Sequence, residues 1–77
     1  MQTLIFDTTL KTAKLYAGSH LEGKILMTFD NVPTVKIGEG YYEVMQRDIF
    51  DDGKRGINSV FPVLRVGISS TNMIIQR

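Results

Sequence analysis

The sequence predicts an all-β protein, either a small barrel or a compact sandwich of about five to seven short antiparallel strands. Apolar residues recur at every second position, as in Ala13, Leu15 and Ala17, and this period is typical of a strand with one buried face. Turn-forming residues separate the alternating runs. The 77 residues leave room for one domain, so we expect a single small β domain over residues 1–77.

Strand ends are predicted where the alternation stops and turn residues begin. Gly18 and Gly23 bracket the first long connection, and residues 30–33 (Asp-Asn-Val-Pro) combine left-handed backbone tolerance with the fixed φ of proline. Residues 38–40 (Gly-Glu-Gly) predict a bend, and residues 51–53 (Asp-Asp-Gly) predict a tight turn. The predicted strands lie near residues 2–7, 11–17, 24–29, 33–38, 41–47, 60–66 and 72–76.

Two of these strands carry additional information. Residues 41–50 favour a strand because they contain two tyrosines and a valine after Gly40. A short helix near 41–50 is the alternative, since the apolar residues there also fit a helical stripe: Tyr41, Val44, Met45 and Ile49. Pro62 has no backbone N–H to donate, so its strand is expected at the edge of a sheet.

Composition excludes several functional classes. The chain has no Cys and one His, which excludes disulfides, zinc fingers and redox thiols. The formal net charge of +1 excludes a strongly basic or strongly acidic protein. The first apolar run, residues 4–6, is far shorter than a signal-peptide core or a membrane-spanning helix. We therefore expect a cytoplasmic protein, in the host cytoplasm if the chain is viral.

Catalytic chemistry has few candidate residues. Ser19 and His20 are adjacent in a glycine-bracketed loop, which is typical of an exposed connection and seldom of a catalytic pair. Asp48, Asp51 and Asp52 could hold a hard cation, but the pattern of a calcium-binding loop is missing. We expect a protein that is not an enzyme, with no catalytic residue, metal site or cofactor.

Self-association is expected from the small size of the core. A chain of this length gains little net stability from one core, and without disulfides or a metal it relies on tight packing or oligomerisation. Residues 4–6 and 73–75 are apolar on both faces, so these terminal strands would be buried against a second layer or another subunit. The alternative is that the two terminal strands close on each other within one chain.

The favoured function is stoichiometric binding through protein–protein contacts. We expect a homo-oligomer with a protein partner, such as a small inhibitor or accessory factor of viral or phage type. Its contact surface is predicted from apolar residues that alternate with the expected core positions: Leu26, Tyr41, Met45, Phe61 and Val63.

Two alternatives remain open. Residues 54–77 carry four basic residues and no acidic one, so a nucleic-acid-binding barrel could use Lys54, Arg55 and Arg65 on phosphates. The aromatic residues expected to stack on bases are Tyr16, Tyr41 and Phe61. The other alternative is a sponge or carrier for a small anionic, nucleotide-like ligand at a subunit interface, which would use Lys36 and Arg47.

Overall fold

Seven β-strands and one 3-10 helix make up the part of the chain that the computed structural model describes, residues 1–48 and 59–77. Each predicted strand is confirmed to within one residue at either end, and the segment after Gly40 is a strand. The strands are β1 (Gln2–Asp7), β2 (Thr12–Ala17), β3 (Lys24–Phe29), β4 (Thr34–Ile37), β5 (Tyr41–Asp48), β6 (Ser59–Gly67) and β7 (Thr71–Gln76). The predicted turn at 51–53 lies outside the described residues. Within the described ranges, no helix is long and apolar enough to cross a membrane.

The strands form two sheets that share one core. The first sheet has the order β3-β2-β1-β7, and the second has the order β4-β5-β6. Of the two predicted architectures, the described residues therefore form a sandwich and not a closed barrel. The strand that contains Pro62, β6, lies at the edge of its sheet, as its missing N–H predicts.

One strand pairing differs from the antiparallel prediction. β7 pairs with β1 in parallel, with Leu4 opposite Met73. The 3-10 helix Ile68–Ser70 carries the chain from the second sheet back to the first, so no hairpin fixes the direction of β7. The terminal strands thus pair with each other inside one chain. β1 lies between β2 and β7, so both of its edges are paired within the chain.

The core is built from alternate positions of both sheets and from one turn residue. The four-stranded sheet contributes residues of β1 and β2, the three-stranded sheet contributes residues of β5 and β6, and the turn between β3 and β4 contributes Val32. The buried core residues are Leu4, Phe6, Ala13, Leu15, Val32, Val44 and Val66. Core residues from both sheets meet here, as expected when two sheets pack face to face.

The turn between β3 and β4 carries the chain from one sheet to the other. Val32 in this turn is fully buried, and its N–H donates to the carbonyl of Lys11 at 2.9 Å. The carbonyl of Asn31 accepts from the N–H of Arg47 at 2.7 Å. The turn is therefore fixed to the β1–β2 connection on one side and to β5 on the other.

Alternation overestimates burial at the edges of the sheets. It predicts Ile25 and Met27 in the core, but their side chains are 53% and 45% exposed. β3 is an outer strand of its sheet, and every residue in it before Phe29 is exposed. Three residues near strand ends that alternation also places inside are exposed as well: Ala17, Ile37 and Val60.

Replacing Val32 with Ala should lower the free energy of unfolding by about 2 kcal/mol, because it leaves a cavity where the two sheets join. Val60→Ala is the matched control, since Val60 is 42% exposed and its truncation should cost about 0.5 kcal/mol or less. Urea denaturation followed by circular dichroism measures both. Equal losses of unfolding free energy in the two variants would show that Val32 contributes no more to stability than an exposed valine.

Candidate functional site

Three consecutive exposed apolar residues lie on the outer strand β3; we define Ile25, Leu26 and Met27 as the β3 surface. Their side chains are 53%, 53% and 45% exposed. β3 ends the sheet, so in the described part of the chain its outer backbone edge has no neighbouring strand. Such an edge carries N–H and C=O groups that can pair with another strand.

A β-bulge shapes this surface. Met27 pairs with Leu15 and Ile25 pairs with Tyr16, so Leu26 is an extra residue that opposes no partner on β2. A bulge locally increases the twist of its strand. The three consecutive apolar side chains consequently spread over both faces of the sheet edge. Every residue of β3 before Phe29 is exposed.

The apolar surface extends beyond β3 at one end. Leu26 lines a shallow open groove together with Met1 and Ala17. Met1 is 81% exposed. The predicted contact residue Leu26 is therefore accessible, and its apolar neighbours include residues that the sequence did not suggest.

The other predicted contact residues lie in the second sheet and do not join this surface. Phe61 on β6 is 38% exposed. Val63 is half-buried and packs against the core. Met45 is 6% exposed, so it has little area to offer a partner. Leu26 and Phe61 are thus the accessible members of the predicted set, and they belong to different sheets.

Tyr41, the fifth predicted contact residue, is occupied by contacts within the chain. Its ring packs so closely on Gly38 that a Cβ atom at position 38 would overlap it. The guanidinium carbon of Arg65 lies 4.3 Å from the ring centroid, which is a cation–π distance. These contacts leave Tyr41 half-buried and reduce the ring area available to a base or a partner.

Arg65 is held by a carboxylate. Its Nε and Nη2 atoms both donate to Oε2 of Glu43, at 3.1 and 2.7 Å. The hydrogen bond and the negative charge of Glu43 raise the pKa of the Arg65 guanidinium above its ordinary value. Lys36 lies opposite Glu43 on the neighbouring strand β4. Glu43 therefore offsets the charge of the basic residues beside it, and this part of the predicted anion-contact set is not an open basic patch.

The remaining predicted basic residues are separated from this cluster. Arg47 lies farther along β5 than Glu43, opposite Val60, and Lys36 is not its cross-strand neighbour. Lys54 and Arg55 lie outside the described residues, as do Asp51 and Asp52.

The loop that contains Ser19 and His20 is held by local contacts. The Ser19 hydroxyl accepts a hydrogen bond from the N–H of Leu21 at 3.2 Å. The ring of His20 packs edge-on to Tyr16 at a centroid distance of 6.4 Å. Across residues 1–48 and 59–77, no cluster of three or more His, Asp or Glu side chains could hold a metal ion.

Sequence reasoning missed the exposure of Ile25 and Met27. The available signal was the run of three consecutive apolar residues at 25–27, which resembles the run at 4–6. Both runs predict a strand without a polar face, but one is central and buried while the other lies at an edge.

Comparison with known proteins gives no assignment. The chain matches no family model, no curated protein and no solved structure. The functional interpretation therefore depends on the surfaces and cavities of the chain itself.

Gly38→Ala should displace the Tyr41 ring and lower the free energy of unfolding by about 1–3 kcal/mol, since overpacking forces neighbours to move. Gly40→Ala is the control. Gly40 has a φ of 80° and open space around it, so alanine there costs about 1 kcal/mol of backbone strain without touching the ring. Ring proton shifts of Tyr41 and the Nε–H signal of Arg65, measured by NMR, should change in the first variant only.

Proposed function

We propose that this is a non-enzymatic, stoichiometric binding protein that associates with a second copy of itself through the β3 surface. The observation that carries the proposal is the exposure of three consecutive apolar side chains on an outer strand edge. Adjacent exposed apolar residues beside free backbone donors and acceptors form a surface suited to strand addition. A solvent-adapted edge strand would instead carry charges, and the only charged residue within β3 is Lys24.

A second copy fits this surface because the strand is self-complementary. Two β3 strands related by a two-fold axis at Met27 run antiparallel. In that register Lys24 of each copy lies opposite Asp30 of the other, and Ile25 lies opposite Phe29. Opposite charges directly across an antiparallel pair are favourable, and an aromatic residue pairs well with a β-branched one.

The energetics favour a weak and reversible dimer. Each β3-surface side chain is already about half buried, so its complete burial contributes about 1 kcal/mol. Six such side chains contribute about 6 kcal/mol, which is near the lower limit of the cost of association. Backbone hydrogen bonds must supply the remainder, and the bulge at Leu26 interrupts their ladder. We expect a dissociation constant of about 1 μM to 1 mM, the range of −8 to −4 kcal/mol.

Sedimentation velocity over a concentration series should show a monomer–dimer equilibrium for the native chain. Leu26→Asp should weaken dimerisation by about 30-fold or more, because it places a charge in the centre of the interface. Leu10→Asp is the matched control: Leu10 is 71% exposed in the β1–β2 connection and is not part of the β3 surface. A native chain that stays monomeric at millimolar concentration, or equal weakening in both variants, would refute the proposal.

The register can be tested by charge reversal. Lys24→Asp should weaken the dimer because it sets two acidic residues opposite each other at both ends of the interface. Asp30→Lys should weaken it for the corresponding reason. The double variant should recover most of the native affinity. If the double variant loses as much dimer affinity as the two single variants lose together, the register centred on Met27 is wrong.

A further inference from the structure

A cavity of about 260 Å³ opens where three segments of the chain meet. Among the described residues, it is lined by Lys11 from the β1–β2 connection, Asn31 and Pro33 from the β3–β4 turn, and Arg47 from β5. This volume lies just below the ~300–1,000 Å³ of cavities that take drug-sized ligands, so the space suits a small molecule.

The side chains around the cavity suit an anion. Among the described residues that line it, two are cationic and none is acidic. A guanidinium binds phosphate or carboxylate oxygens through two parallel N–H bonds, and an ammonium adds a point charge. The salt bridge found in the described residues joins Arg65 to Glu43, and no described carboxylate forms a salt bridge with Lys11 or Arg47.

The backbone beneath these side chains is fixed before any ligand binds. The Val32 N–H bonds to the Lys11 carbonyl, and the Arg47 N–H bonds to the Asn31 carbonyl. Val32, which lies in sequence between the lining residues Asn31 and Pro33, is fully buried. A preorganised site loses less conformational entropy on binding than a flexible one does.

Lys11 occupies a strained backbone position. Its φ is 56°, in the left-handed region, as is that of Asn31 at 55°. Asparagine tolerates this region, whereas lysine is disfavoured there relative to glycine or asparagine. The turn is capped independently of Lys11, because Asp7 Oδ1 accepts from the N–H groups of Thr9 and Leu10. Strain at a charged residue beside a cavity is a feature of functional sites.

We infer that this cavity binds a small phosphate-bearing ligand, held by Lys11, Asn31 and Arg47. The site pairs Arg47 with Lys11 and not with Lys36, the partner suggested by the sequence. None of its described lining residues belongs to the β3 surface, so it requires neither a second copy nor the dimer proposed above.

The test is an NMR titration of ¹⁵N-labelled protein with inorganic phosphate and, separately, with adenosine monophosphate, at constant ionic strength. Saturable shifts are expected at the amides of Lys11, Asn31, Val32 and Arg47. Tighter binding of the nucleotide than of phosphate identifies an organic phosphate as the ligand, and equal affinities identify the free anion. Shifts that stay linear, or that spread over all surface lysines and arginines, would overturn the inference.

Variants separate binding from folding. Arg47→Gln and Lys11→Asn should each weaken phosphate binding at least tenfold. Lys11→Asn should also leave the melting temperature equal or higher, because asparagine relieves the backbone strain. Arg65→Gln and Lys36→Gln are the matched controls and should retain the native affinity. Equal weakening in the controls would overturn the inference.

One further outcome would contradict the small-ligand site. If a single-stranded oligonucleotide binds with a steep salt dependence and phosphate neither binds nor competes, the basic residues serve a nucleic-acid surface and the small-ligand site is refuted. Dimerisation, measured on the same Lys11 and Arg47 variants, should stay at the native level, so failure of this inference is distinguishable from failure of the self-association.

Discussion

The burial of Val32 is the constraint on which the two-sheet arrangement depends. This one side chain lies in the turn that carries the chain between the sheets, and it is fully buried in their shared core. Its N–H bonds to the first sheet's hairpin connection, while the adjacent Asn31 carbonyl bonds to β5. The same two bonds involve three of the residues that line the cationic cavity, namely Lys11, Asn31 and Arg47. Packing at the core and geometry at the candidate ligand site are therefore set by a single turn.

The strand positions could be predicted from the sequence because neighbouring residues determine where a strand begins and ends. Alternation of apolar residues and the chemistry of turns located each strand, and Pro62 correctly indicated a sheet edge. Burial could not be predicted in the same way. Ile25 and Ile5 both stand in runs of three apolar residues, yet Ile5 is 7% exposed and Ile25 is 53% exposed. The difference arises from strand order, which depends on contacts between distant parts of the chain.

Strand order also explains why only some of the candidate site residues could be predicted from the sequence. Leu26 was selected as a residue opposite the core, and it is accessible at an edge. Tyr41 and Arg65 were both assigned to a nucleic-acid surface, and Tyr41 also to the protein contact surface, but the two side chains contact each other because their strands pair side by side. Lys11 had no sequence signal at all. A turn residue with left-handed backbone is normally glycine or asparagine, which makes the turn recognisable in a sequence. Here the residue is Lys11.

The parallel pairing of β1 with β7 has a consequence for how the protein folds. Gln2 and Thr71, whose side chains share a hydrogen bond, are separated by nearly the whole sequence. Closing so long a loop costs entropy before the contact gives any return, so this pairing should form late in folding. During synthesis, β1 emerges before β7. Its apolar edge stays open until β7 follows, and an open apolar strand edge favours aggregation of the nascent chain.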